Sequence, residues 1–172
     1  MNKNILNLSL DEQQWSSVLP DYKHISEDVF ATVINFVFKN EDIDFLSFDK
    51  PITVNLSLSN DAEVHTLNKQ FRNMDKPTNV LSFANIDDEA FEETITTADE
   101  IELGDIIIAL ETMEREAKEQ NISFHDHYCH LLAHGLLHLL GFDHQDDDEA
   151  EYMESFEVDI LSNLNISNPY KE

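Results

Sequence analysis

The run "HLLAHGLLHLLGFDH", residues 130 to 144, places four histidines among leucines and two of the chain's three glycines. Residues four apart on a helix point nearly the same way, offset by roughly 40° and about 6 Å. His134 and His138 can therefore turn imidazole nitrogens toward one ion. Gly141, three residues on, can take the left-handed conformation that ends a helix and sends the chain back. His144 can then close on the same point. Three neutral imidazoles and one open position make a catalytic zinc site, with one Zn²⁺ per chain. Ni²⁺, Co²⁺ and Cu²⁺ are the next metals with a taste for nitrogen. His130 lies one turn before His134, but about 12 Å along the axis from His138, too far to share the ion. It is either a second-layer or substrate-facing group or a core histidine bonded to a carbonyl. Asp143 could orient a ligand imidazole, act as base on a water, or cap the turn. His125 and His127 read as surface residues at the helix start, and Cys129 as a small buried residue.

The spacing H-x-x-x-H-x-x-G-x-x-H matches the zinc helix of metzincin proteases, in which glutamate follows the first histidine as general base. Gly135 holds that place here. It removes a side chain beside a ligand and lets substrate or backbone come close. A metal-dependent peptidase is thus the rival enzyme class, with Gly135 against it.

A second stretch, "NKQFRNMDKPTNVLSF" (68 to 83), concentrates Lys69, Arg72 and Lys76, three of only ten Lys and Arg residues. The planar fork of Arg72 suits bidentate phosphate contact. The plainer reading is a helix end whose cations answer the helix dipole. Thirty-six acids give a formal net charge of −26, which repels polyanions at long range. Taken alone, this balance argues against nucleic-acid binding; a polyanion site must be a local basic patch or be helped by a partner.

The elements that must hold these residues follow from periodicity. Leu6, Leu8 and Leu10 alternate as a first strand, and residues 25 to 38 are helically spaced. Ile52, Val54, Leu56 and Leu58 alternate as a half-buried strand. Asn60 or Asp61 caps a helix with Val64, Leu67 and Phe71 on its inner face. Residues 79 to 84 form a short buried strand. The acidic residues 85 to 100 read as a disordered loop. Residues 103 to 110 form a central strand, followed by an exposed helix ending near Asn121. The histidine helix runs from about Phe124 to Leu140, and a last amphipathic helix from about Asp147 to Leu164. Strands come first and helices dominate the end: an α+β fold with a small mixed sheet, as a single domain over residues 1 to 172. No apolar run approaches the ~20 residues of a membrane span, and Met1 to Leu10 does not read as a signal peptide. One cysteine excludes an internal disulfide framework and fits a cytoplasmic setting.

With both stretches in view, the chain resembles the YbeY family of bacterial endoribonucleases over roughly residues 52 to 160. The most specific element is "HGLLHLLGFDH" (134 to 144), supported by "FRNMDKPTNVLSF", "LGDIIIA", "HLLAHG" and "DDDEAEYME". The family commonly has Asp at the place of Asn79, Pro at Ala84 and Tyr at Phe142. The resemblance implies a single α+β domain with zinc on His134, His138 and His144, and a functionally important arginine at Arg72. It implies single-strand-specific RNA cleavage, maturation of ribosomal RNA (notably the small-subunit 3′ end) and ribosome quality control. Partners would be the small ribosomal subunit and its proteins or a ribosome-associated GTPase. His130 or Asp143 would move the proton. A non-catalytic ribosome assembly factor with structural zinc is the reading outside catalysis. Three histidines with an open side count against it, because structural zinc ordinarily takes a fourth protein ligand and thiolates.

Overall fold

The computed structural model describes residues 4–170; the first three residues of the N-terminal stretch considered above lie outside it. Four strands form one sheet in the order β1-β2-β4-β3, where β1 is Ile5–Leu10, β2 Ile52–Ser59, β3 Val80–Ala84 and β4 Ile101–Ala109. β1, β2 and β4 run parallel, and β3 pairs antiparallel with β4 at the edge. The sheet is therefore mixed, and the α+β reading holds.

Alternation sorts the sheet residues to two faces. Val54, Leu56, Leu58, Ile106 and Ile108 enter the main core. Leu81, Ile107 and Ala109 join Val64 in a smaller cluster on the other side. Seven α-helices lie among the described residues: α1 Trp15–Val18, α2 Tyr22–Asn40, α3 Asp61–Arg72, α4 Phe91–Thr97, α5 Leu110–Gln120, α6 Phe124–Leu139 and α7 Asp147–Asn163. α6 packs on β3 and β4, with α2, α5 and α7 against it. None of the described helices is long and apolar enough to cross a membrane.

The strand that carries α6 has an extra residue. β2 pairs Thr53 with Glu102 and Val54 with Gly104, so Leu103 is bulged out. Gly104 sits at φ +139°, and a Cβ there would lie 2.0 Å from the Phe83 carbonyl oxygen of β3. Only glycine allows β3 to pair at this point.

Three expectations fail. Residues 85–100 are ordered: a 3-10 turn, Asn85–Asp87, leads into α4. Phe91 and Ile95, four apart, bury against the core, and Phe91 meets Phe45 edge-on at 5.5 Å. Lys50 Nζ donates to the Ile95 and Thr96 carbonyls at 2.6 and 3.0 Å, closing the helix end. Acidic composition hid that apolar pair. Phe71 is not on the inner face of α3; it is 59% exposed and packs edge-on against Phe83 at 5.7 Å. The inner position is taken by Asn68, buried, whose amide donates to the Lys76 carbonyl at 2.8 Å. Third, His127 is buried rather than at the surface, its Nε2 2.9 Å from Glu116 Oε1.

Candidate metal centre and cleft

α6 begins at Ser123, whose side chain accepts from the Asp126 N–H. It ends where Gly141 turns at φ +101°. The Phe142 N–H reaches back to the Leu137 carbonyl at 3.0 Å, and the Gly141 N–H to the His138 carbonyl at 3.0 Å. This six-to-one closure is the left-handed stop that the sequence requires. Asp143 Oδ1 accepts from the His144 N–H at 2.8 Å and fixes the returning chain.

The turn brings His134, His138 and His144 together, one nitrogen from each lying within 4.8 Å of the others. His134 and His138 Nε2 are 3.0 Å apart. Their outward nitrogens determine their tautomers. His138 Nδ1 lies 2.9 Å from the Phe142 carbonyl, which can only accept, so Nδ1 carries the proton. His134 Nδ1 lies 3.2 Å from Glu157 Oε2. Burial would raise the Glu157 pKa, but bonds from His130 and His134 bring it down to about 2, so it too accepts. With both Nδ1 protons turned outward, the two Nε2 atoms face each other across 3.0 Å with at most one proton between them, a place that suits a cation. Tetrahedral zinc with Zn–N of about 2.0 Å needs nitrogens roughly 3.3 Å apart, which lies between the 3.0 Å of the His134–His138 pair and the 4.8 Å that bounds the group. Burial first, then His134 and His144, lower the His138 pKa against the opposing Phe142 carbonyl and Asp143, which favours the neutral form that a metal ligand needs.

The triad lies in a cleft of ≈ 870 Å³ that Arg72, Lys76, His130, Asp143 and Tyr170 also line. Arg72, in the last turn of α3, donates from Nη2 to the Ser82 carbonyl at 2.7 Å. Its guanidinium carbon stands 5.0 Å over the Phe83 ring. One donor is used, and the guanidinium is held against β3 by Ser82 and Phe83. Within a strongly acidic chain, Arg72 and Lys76 give this cleft its local cations. His134, His138, His144, Arg72, His130 and Asp143 thus border one space, while Lys69 lines a separate hollow with His65 and Asp75.

His130 stays off the triad. Its Nε2 is 2.6 Å from Glu157 Oε1 and 3.1 Å from the Tyr170 hydroxyl. Glu157 was not anticipated. Its signal is an acid within the apolar stripe of α7, beside buried Met153, Phe156, Ile160 and Leu161. Two positions at which the resemblance led to a different residue have plain local settings. Asn79 donates its amide to both oxygens of Glu116 at 3.0 and 3.3 Å, where Asp would face a like charge. Phe142 serves His138 through its backbone, so a ring hydroxyl is not required there.

A histidine triad with one open side, set beside a fixed guanidinium in a cleft, has the build of a metal-dependent hydrolase site. The comparisons with known proteins point to a hydrolase that acts on RNA. The family model described as "Endoribonuclease YbeY" matches residues 11–165. "Endoribonuclease YbeY" of Francisella tularensis subsp. novicida (strain U112) is 52% identical over 122 residues, covering 69% of this chain and 72% of that protein. The protein of the same name from F. tularensis subsp. tularensis (strain SCHU S4 / Schu 4) is also 52% identical over 122 residues, 69% of each chain. The solution structure of TM1509 from Thermotoga maritima shares the fold, with a TM-score of 0.53 at 23% identity over 98% of this chain and 100% of that one. The chain belongs to the YbeY endoribonuclease family.

Proposed function

We propose that residues 1–172 act as one zinc-dependent, single-strand-specific endoribonuclease domain in the cytoplasm. Its substrate is ribosomal RNA, notably the 3′ end of the small-subunit RNA, with a role in ribosome quality control. The observation that carries this reading is the facing pair of Nε2 atoms of His134 and His138, 3.0 Å apart, with His144 beside them in one cleft with Arg72. His134, His138 and His144 would hold the ion, on the metzincin spacing with its glutamate removed. Held there, a zinc ion would supply Lewis acidity and a water of pKa near ~7.

The chain's own residues supply the rest. Arg72, fixed by Ser82 and Phe83, presents its remaining donors to the phosphoryl oxygens as their charge grows. His130 is the proton-transfer group. Glu157 holds its Nε2, leaving Nδ1 to take or give a proton in the cleft. Asp143 fixes the backbone of His144, and its carboxylate is the alternative proton acceptor. The net charge of −26 supports action on a small ribosomal subunit, where its proteins or a ribosome-associated GTPase add the binding that a free strand lacks.

The test incubates zinc-loaded protein with single-stranded RNA, duplex RNA and unfolded casein side by side. Cleavage of the single strand alone is expected. Ends bearing 2′,3′-cyclic phosphate assign attack to the RNA 2′-hydroxyl; 3′-OH or plain 3′-phosphate ends assign it to water. Casein digestion with RNA left intact would replace this function by a peptidase.

A further inference from the structure

Glu157 is a carboxyl group in an expensive place. Its side chain is 1% exposed. A buried carboxylate persists only when donors fill its lone pairs. His134 Nδ1 serves Oε2 at 3.2 Å, and His130 Nε2 serves Oε1 at 2.6 Å. The third donor comes from outside the helical frame: the Tyr170 hydroxyl gives its proton to Oε1 at 2.8 Å.

The segment after α7 is built to deliver that hydroxyl. Asn165 takes φ +62°, and the Ile166 N–H returns to the Leu161 carbonyl at 2.9 Å. Ile166 then buries in the main core and anchors the segment. The Tyr170 N–H donates to Asn168 Oδ1 at 2.8 Å, which turns the chain toward the cleft. The Tyr170 ring meets His130 edge-on at 5.4 Å. One carboxylate therefore joins a triad histidine, the candidate proton-transfer histidine and a tyrosine forty residues from the latter.

We propose that Tyr170 is a positioning residue of this site: its hydroxyl completes the donor set of Glu157, and through Glu157 it fixes His130 and His134 together. The segment 165–170 is then part of the active site. The hydroxyl acts at one carboxylate oxygen, and the other oxygen orients His134 toward the ion. Ordering of a ligand through its outer hydrogen bonds is what sets metal affinity beyond the ligands themselves. The inference rests on the metal reading of the triad.

The test measures zinc affinity by competition with a chromophoric chelator for wild type, Tyr170→Phe and Glu157→Gln, beside kcat and KM on a single-stranded RNA. Tyr170→Phe keeps the ring and removes only the hydroxyl of a half-exposed residue, so its fold should match wild type by circular dichroism. It should bind zinc about threefold to tenfold more weakly, and Glu157→Gln about 10- to 100-fold more weakly, the range for outer-layer partners of metal ligands. In Tyr170→Phe kcat should fall while KM stays within about twofold, the split expected when only interactions made in the transition state are lost. In the metal-free protein, the His130 Nε2–H nuclear magnetic resonance signal should shift or broaden in the same variant. If Glu157→Gln fails to fold, Tyr170→Phe alone decides. Wild-type zinc affinity and kcat in Tyr170→Phe would overturn the inference and leave the function standing. A raised KM in Tyr170→Leu with Tyr170→Phe unchanged would also overturn it, making the ring a substrate contact. Absence of zinc binding by wild type would overturn both.

Discussion

Gly135 stands where a metzincin protease carries its catalytic glutamate, so Gly135→Glu asks whether that base could be restored. The structure says that it could not. Gly135 is buried in α6, and a Cβ on it would meet Ile106 of β4, with Cδ1 at 3.3 Å and Cγ2 at 3.4 Å. The new side chain would enter the contact between helix and sheet instead of the cleft. Overpacking a tight contact costs about 1–3 kcal/mol, and several added atoms place this case near the top. A buried carboxyl without partners adds about 1–3 kcal/mol even when protonated. Replacing a helical glycine returns about 1 kcal/mol. The net loss is about 3–5 kcal/mol, approaching the low end of the whole stability of a domain. At about 2–4 °C per kcal/mol, the midpoint should fall by about 6–20 °C. Gly135→Ala is the control: its one methyl makes tight contact with Ile106, and the helical gain of about 1 kcal/mol roughly offsets the strain. Its midpoint should stay within about 4 °C of wild type. Thermal and urea melts followed by circular dichroism read both variants. A Gly135→Glu protein melting with wild type, or digesting casein, would refute the placement of Gly135 against Ile106 and reopen the peptidase reading.

Other consequences are as direct. Arg72→Ala should lower kcat for RNA cleavage about 10²–10³-fold, the scale of one lost charge-stabilising donor, with the melt unchanged. Arg72→Lys should recover little, because an ammonium cannot both lie over Phe83 and fork toward a phosphate; full recovery in steady-state rates would contradict this role. Gly104→Ala should destabilise the protein by about 3 kcal/mol or more, since its Cβ would collide with the Phe83 carbonyl at 2.0 Å. A denaturant midpoint equal to wild type would contradict the bulge. The Cys129 thiol is pushed up to about 12, by burial first and then by the Asp126 and Asp28 carboxylates. It should resist a disulfide reagent at pH 8 until the protein unfolds. Above about pH 9 an unfolded chain releases this proton while the folded one keeps it, so stability should fall between about pH 9 and pH 12. Rapid labelling of the native protein would contradict that burial.

The sequence was most legible where one local rule acted alone. The i, i+4 histidines and the glycine three residues later fix the triad, because helix geometry and a left-handed stop leave one place for His144. The alternation of Ile52 to Leu58 marks β2 for the same reason. Legibility failed where two signals competed. Between 85 and 100 the acids outweighed Phe91 and Ile95, yet two side chains four apart suffice to seat α4. Phe71 carries the helical period of α3, but its ring serves the exposed edge beside Phe83 while Asn68 turns inward. His127 lies at a helix start, but α5 covers it and supplies Glu116. Partners distant in sequence were the least visible. Glu157 and Tyr170 are 27 and 40 residues from His130, and no local pattern announces that three elements meet there.

The central claim is a metal centre on three histidines, and metal content tests it most directly. Untagged wild type and His138→Ala should be purified alike and their metal per chain measured by mass spectrometry. The account predicts about one zinc per wild-type chain, lost in a variant that still folds. A folded wild-type protein that carries no metal, and takes none up when zinc is added, would contradict it.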